Sequence, residues 1–267
     1  MKISVIMPVF NTEQFLEEAI ESILKQNFKD FEFIIIDDFS TDNSFNICEK
    51  YAKKDARIKL YRNKKNMWIS FTRNKLIQFS NTNYIASQDS DDISELNRLE
   101  LEYNFLENNP DYWVVSWNNI IIDENWKNIW YRKYSNNIKK IILKKSPLSH
   151  PSSMFRKNLF FKLWWYDKNL NYAEDYDLWL KFYANNYKIK NLNSNLIRYR
   201  IWKWQSKSNK LKNTIKNTLF IQQRAIKQYW INATFSDYMY HFWEKILLCI
   251  PDRFVLFLFK KLEYKKS

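Results

Sequence analysis

Residues 3–89 alternate between two hydrophobic periods, and this limits the fold of the 267-residue chain more than any other feature. ISVIMPVF (3–10) and EFIIID (32–37) are continuous apolar runs, as expected of strands buried on both faces. RIKLYRN (57–63) and NYIASQD (83–89) supply a third and a fourth strand. Between the first two, Phe15, Leu16, Ala19, Ile20, Ile23 and Leu24 recur at helical spacing. Asn11, with Gln14 three residues on, resembles a capping box for that helix. Ser40, Thr41 and Asp42 offer caps to a second helix through Tyr51, and residues 69–80 form a third. The β-α-β-α-β-α-β order predicts an α/β fold with a mostly parallel sheet and right-handed crossovers. Ligands in such sheets bind beyond the carboxyl ends of the strands.

The second part of the chain is more mixed. VVSWNNIIID (114–123) reads as strand and residues 136–145 as a short amphipathic helix. A helix opens at AEDYDLW, residues 189–201 read as strand or hairpin, and one basic helix covers 210–230. A soft boundary near residue 105 divides the chain into two halves of one domain, 1–105 and 106–210. A helical basic extension (211–267) follows. Its end, LLCIPDRFVLFLFKKLEYKKS, is apolar then basic. The plainer reading is a packed helix with a solvated lysine end; the alternative is a segment that lies on an anionic membrane surface.

Composition adds two constraints. The formal net charge of +14 favours polyanionic or phosphorylated partners, or reflects only a lysine-rich surface. Cys48 and Cys249 are the only cysteines and lie far apart, so neither a disulfide framework nor a zinc site is expected. No signal peptide is expected at MKISVIMPVF, and no apolar run reaches the length of a membrane span.

The chain contains no glycine and 12 tryptophans. At the usual share of about 7%, roughly 19 glycines would be expected. Tryptophan stands where turns want glycine: Trp117 before Asn-Asn, Trp126 in DENWKN, Trp202 and Trp204 in IWKWQSKS, Trp164 and Trp165 before Tyr166-Asp167. Some bacteria read UGA as glycine, and translation of such a gene with UGA as tryptophan produces this pattern. The Asn-, Lys- and Ile-rich composition of an AT-rich genome fits. The alternative is a protein that is truly Trp-rich.

The chemistry is expected at strand ends. Asp37 and Asp38 close the second strand, and Asp89, Asp91 and Asp92 follow the fourth. Residues two apart in an extended segment project to one side, so Asp89 and Asp91 can share a hard cation, Mg²⁺ or Mn²⁺. No GxGxxG or P-loop pattern exists, even with glycine restored at the tryptophans, which disfavours dinucleotide and P-loop sites.

ISVIMPVFN, FIIIDDFSTDNS, TRNKLI, YIASQDSDD, HPSSMFRK and AEDYDLWLKF occur in this order between residues 3 and about 206. As a set they resemble the family 2 inverting glycosyltransferases, with the GT-A fold. Glycine at Trp68, Trp164 and Trp165 improves the likeness, whereas Trp179 matches a tryptophan of the family and Trp243 is undecided. The resemblance implies transfer of a sugar from a nucleoside diphosphate donor to a hydroxyl acceptor, in polysaccharide or glycolipid synthesis. The setting would be the cytoplasm, with the inner face of the cell membrane as an option; residues 1–105 would be the nucleotide-sugar-binding half and 106–210 the acceptor-binding, catalytic half.

By the same resemblance, Pro8, Phe10 and Asn11 line the nucleotide pocket, Asp38 with Asp37 meets the base, and Arg73 approaches the phosphates. Asp89 and Asp91 handle ribose and metal, with the choice between Asp91 and Asp92 open. Asp175, with Glu174 as understudy, serves as the base that inversion requires. His150 resembles a position beside the active site, without an assigned role. A non-catalytic nucleotide- or sugar-binding relative would show damaged acids, and none is missing. A nucleotidyltransferase would need a phosphate loop after the first strand, which PVFNTEQF lacks. Nucleic-acid binding would rest on charge alone.

Overall fold

The structure is a computed structural model that describes residues 1–162, 165–170, 172–202 and 211–251. Strands β1 (Ile3–Val9), β2 (Phe31–Asp37), β3 (Ile58–Arg62) and β4 (Tyr84–Ser87) alternate with helices α1 (Glu13–Leu24), α2 (Ser44–Ala52) and α3 (Ile69–Phe79). They pair in parallel, with β1 between β2 and β4 and β3 outside β2. All seven positions of both β1 and β2 are buried, which explains their unbroken apolar runs.

The sheet continues past residue 105 without a break. After β5 (Ile93–Ser94) and α4 (Arg98–Asn108) come β6 (Tyr112–Ile122), β7 (Asn128–Arg132), the short α5 (Ile138–Ile141) and β8 (Met154–Arg156). Helices α6 (Asn158–Lys162) and α7 (Glu174–Ala184), β9 (Lys188–Arg200), α8 (Leu211–Lys227) and α9 (Phe235–Cys249) complete the described chain. The nine strands run β3-β2-β1-β4-β8-β6-β9-β5, with β7 on β6. β4–β8 and β6–β8 are antiparallel and β6–β9 parallel, so the sheet turns mixed beyond β4.

The pleat sends alternate residues to two cores. Ile6, Ile34 and Ile36 pack with Leu76 and Ile77 of α3 and with Leu178 and Trp179 of α7. Val5, Met7, Phe33 and Ile35 pack with Leu16 and Ile20 of α1, Ile47 of α2 and Leu99 of α4.

Two local expectations fail. Asn11 makes no capping box with Gln14: the N-cap is Thr12, without a side-chain cap, and Asn11 sits in the left-handed region at φ 51°. Its Oδ1 instead accepts from Thr41 N at 2.8 Å, joining the turns after β1 and β2. The amphipathic segment 136–145 is helical only over Ile138–Ile141, and none of those four residues is buried. Without a face to bury, a short helix does not propagate. Trp164, Trp204 and the end of the C-terminal segment, from residue 252, lie outside the described residues.

Candidate active site

The register of the central strands puts the candidate residues on one edge. Val9 stands opposite Asp37, and Ile6 opposite Ser87, so the chain leaves β1, β2 and β4 at neighbouring points. Asp38 N donates to Val9 O at 2.8 Å, Gln88 N to Ile6 O at 3.0 Å, and Thr12 Oγ1 to Ser90 Oγ at 3.1 Å. These bonds tie the three strand exits together.

At the β2 exit the two aspartates differ. Asp37 is fully buried; it accepts from Ser40 N at 3.2 Å and pairs with Arg62 Nε at 3.0 Å. Asp37, expected beside Asp38 at the base, thus braces its own turn. Asp38 Oδ1 accepts from Asn63 Nδ2 at 2.7 Å and Met67 N at 2.9 Å, fixing the segment that leads into α3. Pro8 is buried within β1 opposite Ile36, whereas Phe10 is exposed.

At the β4 exit, Asp89 and Asp91 are half-buried. Asp89 Oδ1 accepts from Arg73 Nη2 at 3.0 Å. Asp91 Oδ2 accepts from Trp202 Nε1 at 2.8 Å. Burial, then the negative charge of Asp89, pushes the Asp91 carboxyl up to about 6. Asp92 is fully buried and its Oδ1 accepts from Arg200 N at 2.9 Å, so it anchors the end of β9. Of the three acids expected at the cation, Asp92 thus lies deepest. Arg98, itself buried, holds this loop from behind through Ser87 O at 2.6 Å and Gln88 Oε1 at 3.0 Å.

Arg73 ties α3 and the β4 exit to the start of α7. Its Nη1 donates to Glu174 Oε1 and its Nη2 to Asp89, and it is nearly wholly buried. Burial works against the guanidinium's charge, but Glu174 and Asp89 outweigh it and hold the group protonated above its ordinary range. Glu174 is raised by burial and by Asp175 and lowered by Arg73; the net direction is up. Asp175 is half-buried one residue on, in the first turn of α7, which follows Ala173 in the left-handed region.

Sequence reading missed the support around this arginine. The Tyr166 ring lies 5.8 Å from the Arg73 guanidinium carbon. Tyr166 Oη is 2.6 Å from His150 Nε2, and His150 Nδ1 is 3.0 Å from Ser87 Oγ. His150, left without a role above, thus joins Tyr166 to the last residue of β4. No spacing in the sequence announces these contacts, because residues 87, 150 and 166 meet only through the sheet.

A sheet of this order with acids at its carboxyl edge is the GT-A-like transferase architecture, and solved structures agree. S. aureus TarS 1-349 in complex with UDP-GlcNAc superposes with a TM-score of 0.65 at 18% identity, covering 95% of this chain and 82% of that one. The mannosyltransferase PcManGT from Pyrobaculum calidifontis, in complex with GDP-Man and Mn²⁺, gives 0.66 at 13%, covering 96% and 72%. At these identities the likeness is one of fold. Residues 4–164 match the model of glycosyl transferase family 2, and the chain belongs to that family. It is 35% identical over 249 residues to the uncharacterized glycosyltransferase MJ1057 of Methanocaldococcus jannaschii, covering 91% of this chain and 84% of that protein. It is 32% identical over 258 residues to the O-antigen biosynthesis glycosyltransferase WbnJ of Escherichia coli, covering 92% and 96%.

Proposed function

We propose that this chain is an inverting glycosyltransferase of cell-surface polysaccharide or glycolipid synthesis, taking its sugar from a nucleoside diphosphate donor. The observation that carries the reading is the Arg73 bridge, which gathers Asp89 from β4 and Glu174 from α7 around one guanidinium. Asp175 is close enough to act on the same charge. Donor-side and acceptor-side groups are thereby held within one electrostatic cluster. The acceptor is a saccharide or lipid-linked hydroxyl at the inner face of the cell membrane. No helix among the described residues is long and apolar enough to cross a membrane.

In this scheme Phe10, Asn11 and Asp38 surround the nucleoside, Asp38 meeting a base N–H through its Oδ2. Asp89 and Asp91 would hold Mg²⁺ or Mn²⁺, hard cations that take carboxylate, phosphate and water oxygens; both carboxylates are half-buried at the β4 exit. When bound, the ion offsets charge on the departing diphosphate. Asp175 takes the proton from the acceptor hydroxyl, on the face opposite the leaving group. Asp175 stands in the first turn of α7, half-buried and one residue beyond the Arg73–Glu174 pair. Glu174 is committed to Arg73, which leaves Asp175 as the base.

The test is turnover of a panel of nucleotide sugars, with the anomeric configuration of the product read by NMR. An inverted product supports the mechanism; retention overturns it. Asp89→Ala is expected to weaken Mn²⁺-dependent nucleotide binding about tenfold or more in calorimetry. Equal affinity in the variant, or binding that chelator leaves unchanged, removes the cation from the scheme.

We further propose that most tryptophans are glycine in the protein as its own cell makes it. Support comes from the backbone. Trp68, Trp126 and Trp230 have φ of 67°, 66° and 51°, where a bulky side chain costs about 1–2 kcal/mol and glycine nothing. They are also 53%, 46% and 82% exposed, whereas Trp179 is helical and fully buried. Trp117, buried in β6, shows neither mark. Mass spectrometry of peptides from native cells is expected to read glycine at 68, 126 and 230 and tryptophan at 179. Tryptophan at the first three ends the proposal.

A further inference from the structure

Helix α9 has one face built into the molecule and one that nothing among the described residues covers. On the inner face Asp237 caps the helix with Thr234, His241 Nε2 lies 2.8 Å from Leu143 O, and Leu247 and Leu248 pack against Ile215 and Leu219 of α8. On the outer face Phe235, Tyr238, Met239 and Phe242 recur at i, i+3, i+4 and i+7, with exposures of 80%, 55%, 40% and 55%. Lys245 and Ile246 extend this stripe. It does not depend on Trp243.

The charge on this stripe has one sign. The two acids of α9 lie off it: Asp237 is buried, and burial pushes the half-buried Glu244 up to about 8. The neighbouring α8 contains no acid at all, and its exposed positions include Lys216, Phe220 and Lys227. Large aromatics kept in water without a partner are disfavoured. Aromatic and aliphatic side chains beside lysines, without carboxylates, have the composition of helices that lie in an anionic lipid interface. The same order, apolar then basic, continues in the sequence through Phe254–Phe259 to Lys260 and Lys261.

We propose that the outer face of α9 docks on an anionic lipid bilayer, its Phe235, Tyr238, Met239 and Phe242 entering the headgroup boundary while nearby lysines meet the headgroups. This deepens the proposed use of a membrane-linked acceptor, because docking through α9 brings the site to where such acceptors are anchored.

Co-sedimentation of the full chain at physiological salt tests it, with vesicles of phosphatidylcholine alone or mixed with phosphatidylglycerol. The chain is expected to bind the anionic vesicles, and Met239→Ser/Phe242→Ser to bind them about tenfold less or weaker still. Lys216→Glu/Lys227→Glu is expected to weaken binding to anionic vesicles alone; both pairs are solvent-facing, and unchanged circular dichroism verifies their folding. Undiminished binding in the serine variant assigns the membrane contact elsewhere and overturns the proposal. So does indifference of the unaltered chain to anionic lipid. A dimer in light scattering that the serine pair dissolves, without vesicle binding, shows a second copy as the occupant and also overturns it. Nucleotide affinity measured on the same variants reports on the transferase reading separately.

Discussion

Asp175→Asn is expected to lower sugar transfer by about 10²–10⁴-fold while donor affinity stays within about twofold. The amide keeps the shape and the first-turn position of the side chain but cannot take a proton. Asp175 is half-buried, and its Oδ1 accepts the adjacent Tyr176 N–H at 2.9 Å, a contact an asparagine oxygen can reproduce. Loss of folding is therefore not expected. Glu174→Gln makes the informative contrast. Glu174 is held by Arg73, which also holds Asp89, so its loss disturbs the donor side as well. Calorimetry for the nucleotide and initial rates for transfer separate the two residues. Substantial transfer by Asp175→Asn, with loss in Glu174→Gln at intact donor affinity, would move the base to Glu174.

Arg73→Leu is expected to destabilise the fold by about 3–5 kcal/mol, the range for stranding charge after one partner of a buried pair is removed. Glu174 and Asp89 lose their shared guanidinium, and α7 loses its tie to β4. The deficit has a definite pH dependence. The folded-state pKa of Glu174 already lies above its ordinary value, chiefly through burial, and losing Arg73 raises it further. A raised carboxyl contributes stability below its unfolded-state pKa that is lost as pH climbs through the folded-state value. The variant is thus expected to fall furthest behind the parent at neutral and alkaline pH and to recover toward acid. Urea midpoints across pH check this. A deficit constant with pH, or greatest in acid, would mean that Glu174 is not the stranded charge. Arg73→Leu/Glu174→Leu is expected to regain part of the loss, since an apolar pair strands no charge at that position.

Much of the architecture could be read from residues alone because β1 and β2 are buried along their whole length, and complete burial leaves an unmistakable apolar run. Helix α9 left a weaker trace: its stripe of Phe235, Tyr238, Met239 and Phe242 faces outward, so its apolar period does not mark a core. β8 was missed because three residues are too few to show a period. In the site, the acids were identifiable at strand and helix ends, whereas Arg73, in the middle of α3, was identifiable only through the family resemblance. Their partners were not. Arg73 and Glu174 stand 101 positions apart, and only the folded sheet brings them together. The same holds for Asp92, whose turn toward Arg200 no local pattern distinguishes from the turn of Asp91 toward Trp202.

The Trp202 indole rests on an oxygen of Asp91, and its ring packs edge-on against Phe15 at 5.3 Å. If that codon means glycine in the native cell, a host that inserts tryptophan manufactures the protein with a stopper wedged against the carboxylate proposed to seat its metal. Protein from an unedited gene could then fold, purify and stay inert, and the fault would lie in the dictionary used to translate it rather than in the catalyst.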